Sequence, residues 1–73
     1  MEEEEKVNRE AAIARAVAFA ARRHYIKVRN IAAVDLRHTI PPEVHIWLRA
    51  VRAKVIVTLD KNGEPRDSTV VDL

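Results

Sequence analysis

At 73 residues, with no cysteine, one glycine and three aromatics, the chain amounts to one small domain spanning 1–73. The lack of cysteine removes disulfide staples, thiolate zinc sites and a cysteine nucleophile, and a single glycine leaves no GxGxxG or P-loop cradle for phosphate. Thirteen Lys+Arg against 11 Asp+Glu give +2 overall, but Glu2 to Glu5 hold four of the acids, so from Lys6 onward the balance is 13 to 7, or +6.

An acidic tip over 1–5 leads into a predicted helix over 6–24. Glutamates in the first turn suit the positive end of a helix dipole, and Arg22, Arg23 and His24 suit the negative end. The segment contains no Gly or Pro and is rich in alanine, the best helix former. From Ala11 to Ala21 the only polar residue is Arg15, and Asn8, Arg15 and Arg22 recur every seven residues as one narrow polar stripe. Such a helix is expected to be covered on most sides, either inside a barrel of strands or between a sheet and a dimer mate. An eleven-residue apolar run is too short for a bilayer, and Met-Glu-Glu-Glu-Glu is the reverse of a basic signal-peptide start; the expectation is a soluble, cytoplasmic protein that binds no membrane.

After Tyr25 the apolar period shifts from 3.6 to 2. Ile26, Val28, Ala32, Val34, Leu36 and Ile40 share one parity, which reads as strand with an interruption near Asn30, ended by Pro41-Pro42. A second run alternates through Val44, Ile46, Leu48 and Ala50, slips by one residue, and resumes at Val51, Ala53, Val55, Val57 and Leu59. One slip suits a strand with a bulge, and a short helix over Glu43 to Ala53 with Thr39 as its N-cap is the competing reading. Asp60-Lys61-Asn62-Gly63 predicts a tight hairpin with positive φ at both Asn62 and Gly63, and Ser68 to Leu73 supplies the returning strand. The expected fold class is α+β: one N-terminal α-helix followed by an antiparallel meander of about three strands with a C-terminal β-hairpin.

Chemistry-bearing residues are sparse. His24, His38 and His45 lack metal-ligand spacing, Ser68 has no His or acid at a diagnostic distance in sequence, and Asp35 and Glu43 are isolated carboxylates. Asp60 reads as a turn residue. No catalytic, cofactor-binding or metal-binding residue is expected, and the chain is not expected to be an enzyme. Two binding readings stand side by side. Trp47 with Arg49 and Arg52, together with Phe19 and Tyr25, forms a candidate protein-binding set, since Trp, Tyr and Arg dominate interface hot spots. Arg22, Arg23, Lys27 and Arg29, flanking Tyr25, form an alternative RNA-binding set of cations interleaved with an aromatic, as on a ribosome-associated protein. A homo-oligomeric structural domain is a third reading, because apolar surface on so many sides calls for company.

The Ala-Ile-rich helix Glu10 to Arg23, then Ile26-Lys-Val-Arg-Asn-Ile31, then Trp47 with arginines behind it, resembles the C-terminal region of the small gamma chains of biotin-dependent acyl-CoA carboxylases and decarboxylases. The resemblance covers about Glu10 to Arg52 and omits the membrane helix with which those chains usually begin. It implies a soluble, non-catalytic accessory subunit that holds larger, biotin-carrying subunits together, in an oligomeric complex and without a cofactor of its own.

Overall fold

A computed structural model describes the backbone of residues 2–73 and the side chains of residues 9–73. The architecture is α+β, a single helix laid on one face of a four-stranded antiparallel sheet. Helix α1 covers Glu2–His24 and is followed by strands β1 (Ile31–Arg37), β2 (Glu43–Leu48), β3 (Ala53–Leu59) and β4 (Pro65–Asp72). Strand order in the sheet equals order in the chain, β1-β2-β3-β4, so every pairing is between sequence neighbours. Within α1, the side chains of Glu2 to Glu5 and the Asn8 end of the polar stripe lie outside the described residues.

The helix meets the sheet through alanines. Ala12, Ala16 and Ala20, spaced one per turn, are 5%, 0% and 1% exposed and pack with Val44, Ile46, Val55, Val57, Leu59 and Leu36. Ile13, Val17, Phe19 and Ile26 flank that seam at half-burial, whereas Ala14 and Ala18 on the far side are exposed. The helix is therefore covered on one side only within the chain, and enclosure in a barrel is not what forms. Alanine is the reason: it counts as apolar in a periodicity, yet its single methyl loses little by facing water.

On the sheet, β3 follows the expected alternation, buried at Ala53, Val55, Val57 and Leu59 and half-exposed between. Register carries the same face across the neighbours, pairing Val44 with Val57 and Ile46 with Val55. Three further expectations need correction. Tyr25 to Asn30 is not a strand: Tyr25 takes a left-handed φ of 55°, the Ile26 amide donates to the Ala21 carbonyl at 3.1 Å, and Val28–Asn30 forms a single 3₁₀ turn before β1 starts. This is a Schellman cap with a tyrosine where glycine is usual, and Ile26 supplies the apolar contact that accompanies such caps. The slip near Ala50 is not a bulge, and no helix forms over Glu43 to Ala53. Residues 49–52 turn the chain from β2 into β3, so the one long run is two strands and the total is four rather than three. Register shifts occur instead between Ile31 and Ala33 and between Thr58 and Leu59.

The hairpin lies where Asn-Gly places it, but only Gly63 has positive φ (80°). The Gly63 amide donates to the Asp60 carbonyl at 3.0 Å, and the Asp60 amide donates to the Glu64 carbonyl at 2.8 Å. Together they give a turn followed by a left-handed glycine rather than a two-residue primed turn. Asp60 Oδ1 accepts from the amides of Asn62 (2.8 Å) and Glu64 (2.9 Å). The Glu64 amide above all, opposed by partial desolvation and aided by the Asn62 amide and the charges of Arg66 and Lys61, holds the Asp60 carboxyl below its ordinary 3.8. Because the folded value is the lower one, the stabilisation is fully present above 3.8 and is lost as pH falls through the folded value.

Two measurements follow from this packing. Ala16→Leu should destabilise by ~1–3 kcal/mol in urea unfolding because the seam has no room, while Ala18→Leu should change stability by less than ~0.5 kcal/mol; equal effects at the two positions would contradict one-sided packing. In thermal melts, the deficit of Asp60→Asn relative to the parent should shrink as pH falls below 3.8. A deficit that does not vary with pH would remove the carboxylate from the turn's energetics.

Candidate interaction surface

The end of the molecule where α1 and β2 terminate and β3 begins gathers residues far apart in sequence. The Arg49 amide donates to the Asn30 carbonyl at 2.7 Å, which ties the β2–β3 turn to the 3₁₀ segment. The Arg49 side chain reaches back as well, its Nη2 lying 3.4 Å from the Ile31 carbonyl that accepts from it. On the other side the Leu73 amide donates to the Arg52 carbonyl at 2.9 Å, joining the end of β4 to the same turn. Lys27, Arg29, Arg49 and Arg52 are thereby brought to one end, all exposed, and none forms an ion pair with a described residue. Apolar side chains stand among them, Val28 at 69% exposure and Val51 at 57%. Tyr25, at 92%, projects from the helix end that feeds this segment.

The protein-binding and RNA-binding sets of the sequence therefore overlap in space. Arg49 and Arg52 come from one, Lys27 and Arg29 from the other, and Tyr25 belongs to both. The other members lie elsewhere. Arg22 is exposed on α1. Arg23 places its guanidinium 5.6 Å from the Phe19 ring centroid and 3.8 Å from Asp67 Oδ1, so both Arg23 and Phe19 serve the contact of α1 with β4. The left-handed turn at Tyr25 divides the basic string, leaving Arg22 and Arg23 on the helix and Lys27 and Arg29 in the segment beyond it.

Trp47 lies on the sheet face opposite the helix, beside the basic end, with Ala33 and Lys54 as its cross-strand partners. It is half-buried: Lys54 Nζ sits 5.3 Å above its ring and the His45 ring lies 5.8 Å away. His45 is 6% exposed although it is on the uncovered face; its Nε2 donates to Glu43 Oε1 at 3.0 Å, and its Nδ1 has no partner among the described residues. Beside them Arg37 Nε donates to Asp35 Oδ2 at 2.8 Å. Sequence reasoning missed these two pairs and treated Asp35 and Glu43 as isolated. The signal was the i, i+2 spacing, which puts acid and base on one face of a strand. His24 shares a 2.9 Å hydrogen bond with Ser68, a strut between helix and sheet. His38 lines an open groove with Arg9 and Lys61 at the opposite end of the molecule. Among the described residues no three His, Asp or Glu side chains converge as metal ligands, and no helix is long and apolar enough to cross a membrane.

Tyr25 is the most informative residue in this surface. A left-handed conformation costs a non-glycine residue ~1–2 kcal/mol, and a side chain 92% exposed recovers none of it through packing within the chain. Tyr25→Gly should therefore stabilise the chain by ~0.5–1 kcal/mol once glycine's larger unfolded-state entropy is subtracted. Urea midpoints at constant m would show it, and a loss of stability would mean that the tyrosine ring makes native contacts. No protein-family model, curated protein or solved structure matches the chain.

Proposed function

We propose that the chain is a non-catalytic assembly subunit whose basic, apolar-studded end docks onto an acidic face of a larger protein, in a complex of the biotin-dependent acyl-CoA carboxylase type. The observation that carries this reading is the convergence of exposed Tyr25, Val28 and Val51 with Arg49, Arg52, Lys27 and Arg29 at one end. Arginines with no ion pair to a described residue suit bidentate carboxylate recognition, and exposed valines gain by burial against protein. Nucleic acid would use the cations but offers little to the valines, and the division of the basic string at Tyr25 removes the continuous track a phosphate backbone would follow. The carboxylase assignment rests on the resemblance of Glu10 to Arg52 alone.

The deciding experiment is affinity purification of the tagged chain from cells that carry it natively, with a streptavidin blot and nuclease-treated controls. A co-eluting biotinylated subunit is expected, unaffected by nuclease and lost with Arg49→Glu/Arg52→Glu, each reversed charge weakening binding about tenfold or more. Recovery of RNA instead, with affinity falling steeply in salt, would replace the protein reading with the nucleic-acid one.

A further inference from the structure

An antiparallel meander leaves two free edges, and they are unlike each other. On β1 the edge is interrupted by the register shift between Ile31 and Ala33, and the Ile31 carbonyl already accepts from Arg49. On β4 the stretch from Asp67 to Asp72 pairs with β3 without interruption and contains neither proline nor lysine. Its centre, Ser68-Thr69-Val70-Val71, is small and β-forming, the kind of edge that recruits another strand.

The backbone alternation says which groups point outward. The Ser68 amide donates to Asp67 Oδ1 at 2.8 Å and so faces away from β3. By the two-residue period, Val70 and Asp72 also present their amides and carbonyls on the outer side, while Thr69 and Val71 bond inward.

We infer that two copies of this chain pair antiparallel through β4, with Thr69 opposite Thr69 on the two-fold axis, to make one continuous eight-stranded sheet. Three features suit this register, and the second distinguishes it from its neighbours. It sets Ser68 opposite Val70 of the second copy, so the outward groups exchange hydrogen bonds in both directions. It places Arg66, the β4 residue left unpaired by the register shift beside β3, at the level of Asp72 of the second copy, twice by symmetry, whereas a shift of the centre to Ser68 or Val70 loses that complementarity. It brings the two Val70 side chains, each 49% exposed on the helix-bearing face, close across the axis. The two-fold also turns the basic ends away from one another, so their like charges do not oppose association. One cap must open: Asp67 releases the Ser68 amide and its long 3.8 Å contact with Arg23, an exposed pair of little worth. The inference is independent of the docking function proposed above.

The absence of native cysteine makes the test clean. Non-hydrogen-bonded pairs in such a ladder have Cα atoms about 4.5 Å apart, within disulfide range. Thr69→Cys is expected to oxidise to a covalent dimer, while Ala33→Cys on the β1 edge stays monomeric under the same conditions. The unmodified chain should sediment as a concentration-dependent dimer. Arg66→Asp should weaken the dimer about tenfold, and adding Asp72→Arg should restore it. A chain that sediments as a monomer at millimolar concentration, cross-linking at Ala33→Cys in place of Thr69→Cys, or a ladder of higher species from β4–β1 pairing would each overturn the inference.

Discussion

Everything in this fold depends on how closely an alanine seam lets the helix approach the sheet. Ala12, Ala16 and Ala20 present methyl groups, and the bulk of the core comes from the other side, from Ile46, Leu59 and the valines of β2 and β3. A close approach also sets the hairpin: a Cβ built on Gly63 would lie 3.6 Å from the Ala12 Cβ, so the β3–β4 turn rests against the helix flank. Around the seam the contacts are polar and peripheral, Arg15 with Glu64 at 3.4 Å and His24 with Ser68 at 2.9 Å. The exposed ion pair and the part-buried hydrogen bond align the helix along β4 but add little energy, so the hydrophobic seam holds the two layers together.

Much of this was legible in the residues. The helix, the strict alternation of β3 and the turn at Asp60 to Gly63 each follow a local rule, and the structure keeps all three, the turn in place though not in type. What failed was punctuation without glycine or proline. The helix ends on Tyr25 in a left-handed conformation that sequence rules reserve for glycine, and the β2–β3 turn is built from Arg49, Ala50, Val51 and Arg52, none of which is a turn former. The local cap bond from Ile26 to Ala21 at the first place, and the tertiary bond from Arg49 to Asn30 at the second, hold a backbone that residue preference would not choose. The candidate surface was half legible for the same reason. Its arginines and Tyr25 stand out by type, but their convergence follows from those two irregular turns.

The uncovered sheet face shows how polarity can be satisfied locally. Acid and base two residues apart on β1 and again on β2, and a lysine over Trp47 from β3, keep that face in water without a second layer. The cost falls on His45, packed so tightly between these neighbours that one ring nitrogen has no partner among the described residues.

The alanine seam has a consequence for how the protein is made. In chain order the helix precedes every strand of this sheet, so during synthesis it emerges before the strands that cover it. At 23 residues and rich in alanine it is long enough to hold helical turns alone. A leucine seam would spend that interval as an adhesive stripe open to other nascent chains. A seam of methyl groups exposes little to them, and the bulk arrives only with β2 and β3, at the moment when the surface to bury it exists.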